Sequence, residues 1–200
     1  MIHAPLENEY EKKFWPQSVM GIDEAGRGPL CGPLSVGCCV LPPFYENPEI
    51  NDSKKLSEKK REALYEIITR DALYWKVELV SPQEIDRLNI LEATRQAMTR
   101  LGSSYECAAV LSDAVKLPLA NNIPLIKGDA RSISIAAASI LAKVERDRYM
   151  KELDRLYPQY ELAKHKGYPT KRHLELLEEY GIQDFYRRSY APVRKIIEKG

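Results

Sequence analysis

The sequence predicts one α/β domain built around a mixed sheet, and three observations support that prediction. The chain has 200 residues, 44% of them hydrophobic and 30% charged, and a chain of this length can bury about 70% of the surface that its unfolded form exposes. Apolar runs typical of strands cluster near the start and then alternate with helical patterns. The sequence contains no internal repeat and no low-complexity segment, so a single domain accounts for the whole pattern.

The first half of the chain contains three predicted strands and two predicted helical regions. The strand patterns cover residues 18–22, 34–41 and 73–80. Ser57 is a typical helix N-cap, and the helix that follows it extends to about residue 70. Residues 81–84 form a capping box with proline at the first helical position. The helical region after this box reaches about residue 101 and is interrupted near Asn89.

The second half begins with two further strand patterns, at residues 107–112 and 123–126. The longest helix is predicted over residues 132–157, where Pro158 ends it, and a last helix covers residues 174–180. These elements divide the chain into three parts: a loosely packed N-terminal extension (1–16), a core (17–157) and a C-terminal helical, basic segment packed on that core (158–200).

Charge is distributed unevenly along the chain. The 30 basic and 29 acidic residues give a formal net charge of +1, which excludes a bulk polycation. Residues 1–142 carry 16 basic and 19 acidic side chains, whereas residues 143–200 carry 14 and 10. If the protein binds a polyanion, the C-terminal quarter is therefore the expected contact surface.

The cysteines and the N-terminal sequence indicate a reduced, cytoplasmic protein. The four cysteines form no Cys-x-x-Cys pair and only three histidines are present, so we expect no structural zinc. The first residues are acidic and include Pro5, unlike a secretory signal. The uncharged stretch of residues 28–45 contains too many prolines and glycines for a membrane-spanning helix. We therefore expect no membrane association.

Two adjacent carboxylates, Asp23 and Glu24, follow the first apolar run and precede a Gly-Arg-Gly tripeptide. Strand ends open into clefts, where paired carboxylates need a cation or a proton to offset their repulsion. A solvated turn is the alternative interpretation. A phosphate-binding loop is excluded because no Gly-Lys-Ser/Thr follows, and Cys31 stands where a Gly-x-Gly-x-x-Gly motif needs its last glycine.

Two more carboxylates occur at corresponding places. Asp113 follows the fourth apolar run, and Asp129 follows Lys127-Gly128 just before the longest helix. Four carboxylates without histidine or cysteine are hard oxygen ligands that suit Mg²⁺ or Mn²⁺. For Asp129 alone, a loop or helix-cap role is an equally good interpretation.

Residues 163–173 form a basic segment with four permanent cations, two histidines, Tyr168 and no acid. Cations around an aromatic ring can bind phosphates while the ring packs on a sugar or a base. A solvated basic loop is the alternative, and composition alone slightly favours it.

Six short motifs together resemble bacterial ribonuclease HII. They occur in that family's order and are GIDEAGRGP (21–29), DSKKLS (52–57), KGD (127–129), AAASILAKV (136–144), RD (146–147) and HKGYPT (165–170). The first motif is specific by itself. Arg27 between two glycines also distinguishes the chain from the sister family, ribonuclease HIII.

The resemblance implies an RNase H-like mixed sheet flanked by helices and an endonuclease that cuts RNA paired with DNA. It implies cleavage on the 5′ side of single ribonucleotides in duplex DNA, which leaves a 3′-hydroxyl and a 5′-phosphate. Catalysis would use two divalent ions, Mg²⁺ or Mn²⁺. The expected partners are RNA–DNA hybrids and ribonucleotide-containing duplexes, bound by a monomer.

The resemblance also assigns roles by match of motif. The metal-binding, catalytic carboxylates would be Asp23, Glu24, Asp113 and Asp129. The residues that read the ribose 2′-hydroxyl, largely through backbone groups, would be Gly26, Arg27 and Gly28. Tyr168 would pack on the sugar on the 3′ side of the ribonucleotide. The phosphate or structural contacts would be Lys54, Lys55, Lys143, Arg146 and Lys166.

One departure from the family pattern is Ala114, which stands after the third carboxylate where the family usually has glycine. Two alternatives to an active ribonuclease of this family remain open. One is a catalytically inactive binder of RNA–DNA hybrids, in which Ala114 misplaces Asp113. The other is a different RNase H-like metal nuclease that does not depend on a ribose.

Overall fold

The computed structural model describes residue 6 and residues 8–199. Within this part of the chain five strands form one sheet in the order β3-β2-β1-β4-β5. The strands are β1 (Val19–Ala25), β2 (Leu34–Val40), β3 (Tyr74–Val80), β4 (Ala109–Asp113) and β5 (Asn122–Leu125). The pairs β1–β2 and β2–β3 are antiparallel, and the pairs β1–β4 and β4–β5 are parallel. The mixed sheet predicted from the element order is confirmed.

The described residues also form eight α-helices. These are α1 (Glu9–Lys12), α2 (Glu58–Asp71), α3 (Pro82–Leu88), α4 (Ile90–Gly102), α5 (Ile133–Leu156), α6 (Leu162–His165), α7 (Lys171–Tyr180) and α8 (Ala191–Ile197). Short 3₁₀ turns cover Ser53–Lys55, Gly128–Ala130 and Pro158–Tyr160. None of the helices in the described part of the chain is both long enough and apolar enough to cross a membrane.

Capping side chains place the helix starts where the sequence predicts them. Ser57 Oγ accepts the N–H of Lys60 at the start of α2, and Ser81 Oγ accepts that of Glu84 at the start of α3. The interruption between α3 and α4 is Asn89, whose φ is 68°. The last predicted helix begins earlier than expected, at Lys171, because Thr170 caps it there. The first strand extends further than predicted and includes Asp23 and Glu24.

Helices cover both faces of the sheet, which explains why β2 is buried throughout. On one face, Val36 and Cys38 contact the cluster that contains Ala97 of α4. On the other face, Cys39 belongs to the cluster that contains Leu64 of α2 and Ile140 of α5. The four cysteines are free, and burial raises the pKa of the Cys31 and Cys38 thiols to about 12. Cys31, Cys38 and Cys39 are therefore buried core thiols, as the sequence predicts, whereas Cys107 is only partly buried.

Two glycines allow α5 to lie directly against the sheet. A Cβ atom at Gly21 of β1 would lie 2.0 Å from the carbonyl carbon of Ser134, and one at Gly37 of β2 would lie 2.6 Å from the carbonyl oxygen of Ala138. A side chain at either position would overlap backbone, which cannot move aside as a flexible side chain can. This close approach brings the middle of α5 next to the end of β1.

The described part of the N-terminal extension packs more tightly than the sequence predicts. Glu11 of α1 is buried, and its Oε1 accepts hydrogen bonds from Ser132 Oγ at 2.6 Å and from the N–H of Ser134 at 3.1 Å. A carboxylate at a helix N-terminus satisfies donors that have no partner within the helix. Glu11 thus stabilises the start of α5. Residues 1–5 and 7, which belong to the same predicted extension, lie outside the described residues.

The C-terminal segment packs against the second half of α5. Its buried residues Tyr160, Leu177 and Phe185 form one cluster with Met150 and Leu153 of α5. Backbone hydrogen bonds also join this segment to the loop after β1, because the N–H of Leu30 donates to Gly167 at 2.8 Å and that of Gly32 to Phe185 at 2.8 Å. The loop after β1 is therefore held between the sheet and the C-terminal segment.

Candidate active site

The parallel pairing of β1 and β4 brings two carboxylates side by side. Ile22 pairs with Ser112, so the next residues, Asp23 and Asp113, lie at the same edge of the sheet. Asp129 joins them from the turn that precedes α5, where the N–H of Gly128 donates to Asp113 Oδ1 at 2.7 Å. Carboxylate oxygens of Asp23, Asp113 and Asp129 lie within 4.8 Å of one another.

Burial and mutual repulsion make this cluster unfavourable when it is ionised. Burial raises the pKa of Asp23 well above its usual value, and the charges of Glu24 and Asp113 raise it further, while a hydrogen bond from Ser139 opposes the rise. Burial likewise raises the pKa of Asp113, against the N–H of Gly128. A cation placed among these oxygens would remove the repulsion.

Glu24 lines the same cleft, although it is not one of the three residues whose oxygens cluster within 4.8 Å, and it retains an unused oxygen. Its Oε1 lies 3.5 Å from Arg27 Nη1, and its Oε2 is buried without a hydrogen-bond partner among the described residues. Burial raises the pKa of Glu24, and the charge of Arg27 opposes the rise. A buried carboxylate oxygen without a partner costs free energy. A set of carboxylates with a free oxygen fits a hard divalent cation such as Mg²⁺ or Mn²⁺.

Lys54 lies beside the acidic cluster, on a segment that is hydrogen-bonded to α5. Lys54 Nζ lies 3.1 Å from Asp129 Oδ2. Partial burial alone would lower the pKa of Lys54, but the hydrogen bond to Asp129 and the nearby carboxylate charges outweigh it, so the pKa is raised. The neighbouring Ser53 is fixed by a 2.8 Å hydrogen bond between its Oγ and that of Ser139 on α5. The ammonium group of Lys54 therefore offsets part of the carboxylate charge.

An ion-pair network holds the DSKKLS motif against α5. Arg61 donates to the carbonyls of Ser53 at 3.1 Å and Leu56 at 2.5 Å, and its guanidinium lies 3.6 Å from Asp147. Asp147 is 3% exposed and also accepts from Lys143 Nζ at 2.6 Å. Burial lowers the pKa of Lys143, and Asp147 opposes that shift. No sequence pattern indicates a role for Arg61, and Asp147 enters only as part of the RD motif, because their partners come from distant segments.

One cleft joins most of the residues that the sequence singles out. Its lining comprises Asp23, Glu24, Ala25, Gly26, Arg27, Gly28, Ser53, Lys54, Asp113, Ser139, Lys143 and Tyr168. Asp129 is buried directly behind this lining, next to Asp113. Lys55 and Lys166 do not line this cleft, so neither is placed to contact a substrate bound in it.

Arg146 does not lie where a phosphate contact would require. Its side chain is 1% exposed, and it donates from Nε to the carbonyl of Pro33 at 3.0 Å and from Nη2 to that of Cys31 at 3.3 Å. A Cβ atom on Gly26 would lie 2.0 Å from its Nε. The geometry therefore favours a structural role for Arg146, beneath the Gly-Arg-Gly loop, over a phosphate contact.

Tyr168 lies at the edge of the cleft on a segment organised by two histidines. Its ring is 43% exposed, and a Cβ atom on Gly28 would lie 3.6 Å from it. The rings of His165 and His173 stack at 4.1 Å, and His173 Nδ1 lies 2.9 Å from the carbonyl of Tyr168. Burial lowers the pKa of His173 to about 4, so it stays neutral near pH 7. These two histidines therefore shape the loop that carries Tyr168.

A family model described as Ribonuclease HII matches residues 20–193. The chain belongs to the ribonuclease HII family. A ribonuclease HII from Caldanaerobacter subterraneus subsp. tengcongensis is 49% identical to it, over 94% of this chain and 80% of the relative. The resemblance inferred from the six motifs is thus confirmed. Members of the ribonuclease HII family are hydrolases of the ribonuclease H type that act on RNA–DNA hybrids and depend on divalent metal ions.

Solved structures of the ribonuclease HII family agree with the fold. The ribonuclease H2 of Pyrococcus horikoshii superposes with a TM-score of 0.77 at 31% identity, over 91% of this chain and 98% of the other. A ribonuclease HII of Archaeoglobus fulgidus, solved as a complex with PCNA, gives a TM-score of 0.73 at 27% identity, over 86% of this chain and 94% of the other. The expected RNase H-like sheet flanked by helices is confirmed.

The turn after β4 is strained at Ala114. This alanine has a φ of 54°, in the left-handed region, and the N–H of Val115 donates back to the carbonyl of Asp113 at 2.7 Å. An alanine in this region costs about 1–2 kcal/mol, a penalty that glycine avoids. Because the N–H of Ala114 also donates to Leu125 at 2.9 Å, β5 holds the turn and Asp113 keeps its place in the cluster.

We predict that Ala114→Gly raises the free energy of unfolding by about 0.5–1 kcal/mol, since the relief of strain exceeds the added entropy of the unfolded chain. Cleavage activity should change by less than about tenfold. Urea unfolding and turnover measure the two effects. Ala120→Gly is the control, because Ala120 is an exposed turn residue without a positive φ, and it should lower stability. A hundredfold gain in activity for Ala114→Gly would show the natural chain to be impaired at this turn.

We predict that Asp23→Asn and Asp113→Asn each reduce cleavage by at least about a thousandfold. Without divalent metal, each should raise the melting temperature by about 2–4 °C, because a buried repulsive charge is removed. The measurements are turnover and thermal unfolding with and without Mg²⁺. Asp184→Asn, on an exposed side chain, should change neither. Normal turnover by either variant at saturating Mg²⁺ would exclude that residue from the metal-binding set.

Proposed function

We propose that this member of the ribonuclease HII family cuts the ribonucleotide-containing strand on the 5′ side of a ribonucleotide, including a single ribonucleotide in duplex DNA. The products are a 3′-hydroxyl and a 5′-phosphate. One observation carries the proposal: the acidic cluster, the Gly26–Gly28 loop and Tyr168 face the same cleft. A phosphodiester placed at the carboxylates therefore has its sugar next to a loop that can recognise it.

In this proposal the four carboxylates hold two divalent ions. When bound, such ions activate a water molecule and stabilise the charge on the leaving 3′-oxygen. Asp23, Asp113 and Asp129 supply oxygens within 4.8 Å of one another, and Glu24 contributes the oxygen that lacks a partner. Lys54, at 3.1 Å from Asp129, orients that carboxylate and offsets part of its charge. An all-oxygen set suits Mg²⁺ and Mn²⁺ alike.

Selectivity for RNA requires contact with the 2′-hydroxyl, which DNA lacks. The loop of Gly26, Arg27 and Gly28 offers backbone groups at the cleft, and the absence of side chains on the two glycines lets a ribose approach closely. The ring of Tyr168 lies against Gly28 and would pack on the neighbouring sugar. Tyr168 thereby fixes the position of the ribonucleotide relative to the carboxylates.

In this proposal the lysines in and around the cleft bind the phosphates of the substrate. Lys54 and Lys143 both line the cleft, and the Lys54 side chain is largely exposed. Lys166 lies further along the basic segment and can attract the flanking duplex. Phosphates are the same in DNA and in hybrids, so these lysines supply affinity rather than selectivity.

The proposal is tested with two duplexes of the same sequence, one all-DNA and one carrying a single ribonucleotide, in Mg²⁺ or Mn²⁺. Cleavage of the second alone, on the 5′ side of the ribonucleotide, is the expected result, and the product ends are identified by ligation. Cleavage of both duplexes would favour a metal nuclease that does not depend on ribose. Binding without cleavage would favour an inactive hybrid binder.

We predict that Tyr168→Ala lowers the rate of cleavage at a single ribonucleotide by about tenfold to a hundredfold, because the sugar is no longer positioned. Duplex affinity should change little. Lys166→Ala is the matched variant from the same segment: it should weaken binding to both duplexes and reduce the salt dependence by about one unit of slope. Cleavage rates and binding at two salt concentrations measure these effects. Parental cleavage by Tyr168→Ala would remove Tyr168 from the site.

A further inference from the structure

Arg187 is a fully buried arginine directly behind the Gly-Arg-Gly loop. Its side chain is 0% exposed. It donates from Nη2 to the carbonyl of Gly26 at 2.7 Å, from Nη1 to that of Arg27 at 3.0 Å, and from Nε to that of Gly32 at 3.1 Å. A fourth hydrogen bond joins Nη1 to Tyr190 Oη at 3.0 Å. The planar guanidinium thus binds three carbonyls of one loop at once.

The partners of Arg187 are unusual for a buried cation, since none of these four groups is a carboxylate. Burial lowers the pKa of Arg187, and it lowers that of the neighbouring Arg146 to about 10. Arg146 also binds only carbonyls of this loop, and its Nη1 is buried without a hydrogen-bond partner among the described residues. Burial of a cation without an anionic partner is costly. The loop conformation that these residues hold is therefore maintained against a penalty.

Peptide geometry determines what the hydrogen bonds to Arg187 do to the loop. The peptide bonds after Gly26 and Arg27 are trans, so each carbonyl points away from the N–H of the next residue. Because the carbonyls of Gly26 and Arg27 point toward Arg187, the N–H groups of Arg27 and Gly28 point the opposite way. These three loop residues line the cleft, and Arg187 does not. The two N–H groups consequently face the cleft.

Both N–H groups are available to a ligand. In the part of the chain that the structure describes, no backbone or side-chain acceptor pairs with the N–H of Arg27 or of Gly28. Gly26, with a φ of 93°, starts this arrangement of two successive exposed donors. Successive backbone N–H groups of this kind bind oxygen atoms that carry negative charge or lone pairs.

We infer that Arg187 is a positioning residue for ribose recognition: it fixes the Gly-Arg-Gly loop so that two adjacent N–H donors meet the 2′-oxygen of the ribonucleotide. The inference rests on the proposed function, because that function places a ribose at this loop. Tyr190 assists, since its hydroxyl donates to the carbonyl of Arg27 at 2.5 Å. A lysine cannot replace Arg187, because a single ammonium group cannot match three carbonyls with the fork of a guanidinium.

The test compares Arg187→Lys with Arg188→Lys, the same change at the next residue, whose side chain is 59% exposed. Three quantities are measured: the single-turnover cleavage rate at saturating enzyme on the single-ribonucleotide duplex, the affinity for the all-DNA duplex, and the amide NMR signals of Arg27 and Gly28. For Arg187→Lys we expect a rate at least tenfold lower, an affinity within twofold of the parent and displaced signals for both amides. Arg188→Lys should match the parent in all three.

A second variant covers the case in which Arg187→Lys does not fold. Tyr190→Phe keeps the ring and removes only the hydroxyl that contacts Arg187 and Arg27. It should lower the single-turnover rate by about threefold to tenfold and displace the amide signal of Gly28, whose N–H follows the Arg27 carbonyl, which loses one of its two donors. These effects should appear at a temperature where circular dichroism shows the variant fully folded.

The outcomes separate this inference from the proposed function. If the parent cuts only the ribonucleotide duplex and Arg187→Lys cuts it at the parental rate per folded molecule, the inference is wrong and the proposed function stands. If the parent does not cut at the ribonucleotide, the proposed function is wrong. The amide signals then decide the positioning role alone, because unchanged Arg27 and Gly28 signals in a folded Arg187→Lys protein would overturn it.

Discussion

The close packing of α5 on β1 and β2 is the contact on which the site depends. Gly21 and Gly37 carry no side chain where the backbone of α5 passes, so the helix lies closer to the sheet than ordinary side chains allow. This distance lets Ser139 reach both Asp23 and Ser53. It also determines where Lys143 and Asp147 meet the segment after β2. Because Gly21 and Gly37 have no Cβ atom, α5 can contact the sheet, the acidic cluster and the segment that carries Lys54 at the same time.

The site concentrates unfavourable charge in two layers of opposite sign. Buried carboxylates meet at the end of β1 and β4, and two buried guanidinium groups lie behind the loop that follows β1. Neither layer neutralises the other directly, because Arg146 and Arg187 bind backbone carbonyls. The carboxylates are left to attract cations, whereas the arginines fix the loop. A site of this kind trades folding stability for a fixed arrangement of donors and acceptors.

Local patterns in the sequence were sufficient for the mixed sheet and placed Asp23 and Asp113 at strand ends, whereas the metal-binding roles of the four carboxylates came from the family resemblance. Asp23 and Asp113 follow apolar runs, and a parallel pair of strands must bring such residues to one edge. No local pattern in the sequence indicates that Arg146 and Arg187 are buried. Arg187 stands beside Arg188 in a polar stretch that is typical of a surface, and Arg146 lies on a helix with charged neighbours. Their burial depends on carbonyls that lie more than a hundred residues away along the chain, which no local periodicity can reveal.

The separation between Arg187 and its partners determines when the loop is completed. Arg187 follows Arg27 by 160 residues, and a ribosome makes the chain from the N-terminus. A nascent chain that has released β1, β4 and α5 already has its acidic residues in place to assemble. At that stage the carbonyls of Gly26 and Arg27 have no guanidinium to bind. The acidic cluster can therefore assemble before Arg187 is available, and the conformation of the Gly-Arg-Gly loop is completed only when the C-terminal segment packs against it.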